Sequence, residues 1–292
     1  RVEGILQKAA RSASLLSAYD TAVGFLEQII CSFSDNSKMN RDFIFSVYSQ
    51  YHKALYSLAR YDKADEIYKL LEKLANEPIV LTDNCCLQAV SLSNRGRYGD
   101  AFMLGIELLE KLGIHYPYSD LEHVINKEID EYYDQLSKGN FMGIEEEAKD
   151  AKEHAIGKLL NRITAAGFFY NPMCSFWAII TNAKRIFKNG YTPGGLQIYA
   201  SLIMLLAPFK NDYRLAYSAA RKAMKLAEKK QYKNELFRVY HVFSLFNCHW
   251  FEDVRNSMPY ARESFRGNVE VGDFEFACFS YCTTQQAILE TC

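Results

Sequence analysis

Few residues of this chain have the types and spacing that chemistry demands. His241, Cys248, His249, Cys278 and Cys282 bring metal-ligating atoms into its C-terminal part. Their separations match no compact zinc pattern, and Cys278 and Cys282, four apart, are placed equally well for a buried helix seam. No metal is expected. The acidic run Glu145, Glu146, Glu147 precedes Lys149. With Glu145 and Lys149 at i,i+4, it reads as a solvated helix face, not as paired carboxylates for acid–base work. Arg221, Lys222, Lys225, Lys229, Lys230 and Lys233 could meet phosphate, yet no nucleic-acid motif accompanies them. His249–Trp250 reads as core packing beside a tight turn between helices. Gly194–Gly195 has no following Lys, and neither Gly-x-Ser-x-Gly nor His-Glu-x-x-His occurs. With no catalytic constellation, the chain reads as a non-enzyme, and no cofactor is expected.

The elements that would position such residues are repetitive. Tyr61, Ala64, Tyr68 and Leu71 fall on one helix face, at steps of three, four and three. The same frame recurs at Tyr19, Ala22, Leu26 and Ile29, then at Tyr98, Ala101, Gly105 and Leu108, and at Tyr213, Ala216, Ala220 and Ala223. A small Ala between larger residues is what a helix needs where another crosses it closely. The first three Tyr are spaced 42 and 37 apart, near the roughly 34 of a tetratricopeptide repeat. The pattern predicts helices over 2–16, 19–32, 42–59, 61–75, 83–94 and 98–112, joined by turn residues such as Arg95-Gly96-Arg97. Longer, more charged helices follow over 119–136 and 143–166, then Pro172 opens one running to Asn189. Helices over 212–229, 234–250 and 258–265, and one from Phe274, complete the order.

The expectation is an all-α fold, an α–α superhelix of about seven to eight antiparallel hairpins. It would form a single array over 1–292, with three regular repeats in 1–117, a degenerate or spacer hairpin in 118–168 and further repeats in 169–292. The chain has 292 residues, 49% of them apolar, and only six Pro, so disorder is not the default. Its 34 basic and 35 acidic residues give no general pull toward nucleic acid or anionic lipid. The eight Cys are spread thinly, which fits free thiols in helix seams and a reducing cytoplasm. Residues 163–183 and 189–209 carry no formal charge. Each is interrupted by polar or helix-breaking residues, so they read as buried neighbouring repeats and not as membrane spans. A chain that starts at Arg1 and stops inside a helical run reads as a piece of a longer protein.

Several stretches carry a resemblance. Phe246 to Met258, with His249–Trp250 inside it, is followed by Tyr260 to Phe265 and Gly272-Asp273-Phe274-Glu275-Phe276-Ala277. Arg95 to Ala101, Glu107 to Ile114, Phe169-Tyr170-Asn171-Pro172 and Phe209 to Tyr213 fit the same frame. Together they resemble the helical-repeat region of large bacterial and fungal signalling proteins. In these, a kinase-like domain and an AAA/STAND-type ATPase precede the repeats, and a GAF sensor, histidine kinase or other output domain often follows. Two positions depart from that pattern: Asn211 replaces the usual Gly before Asp-Tyr, and the Pro after His-Trp stands at Pro259. The resemblance implies a non-catalytic scaffold that contacts a protein, a peptide or other domains of its own chain. Candidate groove residues lie on the exposed faces of 42–59 and 234–250. The alternative is a ligand-sensing repeat domain of a transcription regulator, with Phe168, Phe169, Tyr170, Phe176 and Trp177 walling a pocket for a peptide or small molecule.

Overall fold

The structure is a computed structural model that describes residues 2–33, 40–136 and 146–291. Among these residues the fold is all-α, and the one β-type contact is an isolated bridge between Glu147 and Tyr191. The chain divides into two compact units, Arg1–Ile114 and His115–Cys292.

The first unit holds α1 (Val2–Leu15), α2 (Tyr19–Cys31), α3 (Arg41–Ser57), α4 (Tyr61–Leu74), α5 (Thr82–Asn94) and α6 (Tyr98–Lys111). They pack as successive hairpins, α1 on α2, α3 on α4 and α5 on α6. Each Tyr of the repeated frame is the first residue of its helix. Two residues before it stands one in left-handed backbone: Ser17 (φ 58°), Ala59 (φ 55°) and Gly96 (φ 73°). The next residue returns its N–H across the turn to the preceding helix: Ala18 to the Ala13 carbonyl, Arg60 to Leu55 and Arg97 to Leu92, each at 2.9 Å. This is the Schellman closure, which satisfies carbonyls that a helix end would otherwise orphan. Ala22, Ala64 and Ala101 are fully buried where the paired helices approach, and Leu26, Ile29, Tyr68, Leu71 and Leu108 continue the seam.

The second unit holds α7 (Leu121–Gln135), α8 (Ala151–Tyr170), α9 (Pro172–Asn189), α10 (Gly195–Ala200), α11 (Ile203–Lys210), α12 (Tyr213–Lys230), α13 (Lys233–Val242), α14 (Ser257–Glu270) and α15 (Phe274–Thr291). The turn before α12 repeats the first unit's closure: Asn211 is left-handed (φ 53°) and Asp212 N–H reaches Leu206 O at 3.0 Å. Asn tolerates this conformation, so the departure from Gly leaves the turn intact. Gly272 and Asp273 close α14 the same way before Phe274, with Ala277 buried in the Ala place. Asn171 caps α9 by accepting from Met173 N–H at 3.1 Å, with Pro172 at the first helical position.

The uncharged stretch 189–209 is not one long helix. It breaks into α10, buried on every side among α8, α9, α12 and α13, and α11. A helix apolar all round must lie in a core, and no helix here is long and apolar enough to cross a membrane among the described residues. Two other expectations need correction. The helix expected over 143–166 begins at Ala151. Residues 146–148 are extended instead, with Ala148 N–H on Tyr191 O at 2.8 Å and Tyr191 N–H on Glu146 O at 3.0 Å. Gly190 (φ 90°) lets the two segments meet, since a Cβ there would lie 2.6 Å from Glu146 O. The helix expected over 234–250 ends at Val242, passes through a π turn (Phe243–Asn247) and finishes as a 3₁₀ turn (Cys248–Trp250).

The left-handed positions make a paired prediction. No atom lies within 4 Å of a Cβ built on Gly96, so Gly96→Ala meets only the backbone penalty. It should lose about 1 kcal/mol of stability in urea unfolding. Ala59→Gly relieves the same penalty and should gain up to about 1 kcal/mol.

Candidate functional site

Among the described residues, polar or reactive side chains gather away from water in several places, two of which bear on chemistry. In the first unit a chain of hydrogen bonds crosses the α3, α4 and α5 seams. Ser49 Oγ donates to Asn84 Oδ1 (2.9 Å), Asn84 Nδ2 lies 3.2 Å from His52 Nδ1, and His52 Nε2 lies 2.9 Å from Gln88 Oε1. Gln88 Nε2 donates to Asp65 Oδ1, whose carboxylate also receives Arg95 Nη1 at 2.9 Å and Nη2 at 2.8 Å. An amide donor on Nδ1 and an amide oxygen at Nε2 fix one tautomer, with the proton on Nε2. Burial lowers the His52 pKa, so the ring stays neutral, and both nitrogens are engaged. The group joins helices and leaves no base free for chemistry.

The second place is a cavity of about 320 Å³ within the C-terminal unit. α8 supplies Thr164, Ala165, Phe168 and Phe169, α9 supplies Ser175, and α10 and α11 supply Gln197 and Met204. His241 and Val242 end α13 on its wall, and Leu245 and Phe246 follow from the π turn. α15 closes it with Phe276, Phe279, Cys282, Thr283 and Gln286. Its volume falls at the low end of small-molecule sites, about 300–1,000 Å³. The lining contains no carboxylate, ammonium or guanidinium group.

A largely buried ion pair next to the cavity holds these helices in place. Arg238 of α13 binds Asp273, which precedes α15, through Nε at 2.7 Å and through Nη2. Its Nη1 donates to Asn161 Oδ1 of α8 at 2.8 Å, and Asn161 Nδ2 donates to Gln197 Oε1 at 2.7 Å and Gly194 O at 2.8 Å. The guanidinium also lies 4.9 Å from the centre of the Phe276 ring, on the cavity wall. One connected network therefore spans α8, α10, α13 and α15. His241, 5% exposed, stacks on Phe279 (6.0 Å) and meets the edge of Phe276 (5.7 Å). Burial pushes its pKa down to about 4, so it enters the wall as a neutral imidazole.

No family model matches the chain. No curated protein matches it either.

The residues singled out from sequence scatter. His241 lines the cavity, Cys248 is buried elsewhere, and Cys278 and Cys282 are exposed, so they do not pack a seam. No group of three or more potential metal ligands occurs among the described residues. Cys31 is also exposed, which corrects the view that the thiols are buried; Cys85, Cys86 and Cys174 are. Glu145 lies outside the described residues, and Glu147 accepts from Tyr232 Oη at 2.6 Å without forming part of a helix face. His249 and Trp250 do not pack in the core. Trp250 is 48% exposed and lies 4.3 Å from Tyr213, centre to centre. Within the basic cluster, Arg221 is spent on Tyr260 Oη (3.2 Å) and the Phe243 ring (5.4 Å).

Of the five aromatics considered as pocket walls, Phe168 and Phe169 line the cavity. Phe176 packs on Phe209 and Trp177 on Tyr116, while Tyr170 is exposed outside the lining. Of the two segments considered for grooves, 42–59 carries Ser49 and His52 of the polar network on its inward side, and 234–250 supplies His241, Val242, Leu245 and Phe246 to the cavity wall. Phe276 stands in the Gly272-to-Ala277 motif, whereas no sequence signal marks Phe279.

Two predictions test this arrangement. Asp273→Asn leaves a largely buried guanidinium without its carboxylate and should cost on the order of 3 kcal/mol in urea unfolding, whereas Arg238→Met with Asp273→Leu should cost much less. The second concerns acid. His241 has a depressed folded pKa, so its contribution is fully present above about pH 6.5 and is lost as pH falls toward 4, on the order of 3 kcal/mol. His52 acts in the same sense, and Glu275, raised by burial, in the opposite one. Urea midpoints between pH 7.5 and 4.5 should fall more steeply for the native chain than for His241→Phe.

Proposed function

We propose that the chain is a non-catalytic recognition and regulatory segment of a multidomain signalling ATPase or kinase, built as a helical-repeat superhelix and working in the cytoplasm. The observation that carries this reading is the cavity of the C-terminal unit. It is a largely apolar, uncharged recess, and one polar network holds together four of the helices that wall it, a design suited to binding and not to bond making. Repeated hairpins with a common turn support the repeat architecture. The motif order from Arg95 to Ala277 supports the signalling context. In this reading, occupancy at the cavity or contact with a protein, a peptide or a neighbouring domain of the same chain biases the packing of α8, α13 and α15, and the rest of the chain reads that bias.

A second reading, a ligand-sensing domain of a transcription regulator, is favoured by the same recess, with its aromatic wall of Phe168, Phe169, Phe276 and Phe279. The two readings share the binding event and differ in the output domain.

The purified chain incubated with ATP and Mg²⁺ should release no phosphate and transfer none to itself or to casein above a buffer blank. Turnover proportional to protein concentration would overturn the proposal.

A further inference from the structure

We propose that the cavity of the C-terminal unit is a binding site for a small, neutral, largely apolar molecule held against its ring-lined wall. This deepens the recognition reading and rests on it for the role of the site, though not for its existence.

Four observations converge. The first is charge. An ionised ligand would have to leave water for a wall with no counter-charge, because His241 is neutral and Arg238 is consumed by Asp273. Burying an uncompensated charge is costly, so the recess selects against ions. The second is the wall itself, where Phe169, Phe279 and the His241 ring succeed one another at centre-to-centre distances of 6.0 Å. Such faces accept a flat ring or a short chain. The third is the bookkeeping of hydroxyls. Thr164, Ser201 and Thr283 each donate to the carbonyl four residues back, on Leu160, Gln197 and Phe279. Ser175, 1% exposed, keeps its hydroxyl beneath the surface of the wall, out of a ligand's reach. The wall therefore offers an entering molecule no free hydroxyl proton, which favours an apolar one. The fourth is the π turn, which brings Leu245 and Phe246 to the wall; such turns recur at functional sites.

The test uses N-phenyl-1-naphthylamine, a neutral fluorophore with one N–H, against its anionic sulfonate counterpart, 8-anilinonaphthalene-1-sulfonate. Titrated into the purified chain at pH 7.5, the neutral probe should bind saturably at one site and at least tenfold more tightly than the anion. Ala165→Phe, which fills the recess, and Cys282→Trp, at an exposed position on its rim, should each weaken the neutral probe at least tenfold. Comparable affinity for both probes overturns the proposal. So does neutral-probe affinity that persists in Cys282→Trp, whose exposed position lets it fold even where Ala165→Phe does not. A concentration-dependent dimer that vanishes in Cys282→Trp would assign the recess to a second copy instead. Failure of any of these arms leaves the absence of turnover untouched, whereas phosphate release would sink the broader reading without touching the site.

Discussion

Everything in this molecule depends on how closely two helices can be brought together and turned back on one another. At each clear copy of the repeated frame the solution is the same. A left-handed residue ends the first helix, its successor folds an N–H back onto the carbonyls, and an aromatic residue opens the second helix. A buried Ala follows one turn later, at Ala22, Ala64, Ala101 and Ala216. The turn fixes direction and the Ala fixes distance. Neither works alone: a larger residue in the Ala place would push the helices apart, and a right-handed turn would send the second helix away. The left-handed position is filled by Ser, Ala, Gly and Asn in turn. The backbone conformation is therefore the shared feature, and the residue type is secondary.

The C-terminal unit uses the same device and adds a second constraint. Its interior contains α10, a short helix with no exposed face, and a helix of that kind must be surrounded. α8, α9, α12 and α13 surround it. Filling the space around so short an element leaves its polar ends to be met by side chains, and Asn161 and Asn182 donate to the carbonyls of Gly194 and Gly195. Asn161 in turn receives Arg238, which needs Asp273. A polar network thus grows outward from the buried backbone of α10, and the cavity lies beside it, where α15 cannot close fully against α8.

These layers were unequally legible. The hairpins of the first unit were readable because their spacing repeats and because the turns carry local signals; helix ends fell within a few residues of expectation. Residues 146–150 misled, since a charged run with i,i+4 spacing looks helical whatever its neighbours do. Only pairing with Tyr191, more than forty residues on, pulls it into extended form. The end of α13 misled for a related reason: residues 234–250 have uninterrupted helical character, and the π turn arises from tertiary contacts. Asn247 donates to Ala200 O as well as to Val242 O. The cavity was half visible. Phe168 and Phe169 stood out as an aromatic pair, but their partners Phe276 and Phe279 sit over a hundred residues away, and no local pattern links them.

The position of the cavity also bears on how a binding event could be felt elsewhere. Its wall and the Arg238 network share Gln197 and Phe276. A molecule entering the recess must therefore displace side chains already committed to holding α8, α10, α13 and α15 together, or must complete their packing. In the second case occupancy stabilises one arrangement of these four helices over looser ones, by as much as the ligand prefers it. α15 supplies five side chains to the wall, Phe276, Phe279, Cys282, Thr283 and Gln286, and packs most extensively against α14. A shift of α15 on occupancy would therefore be felt first at α14.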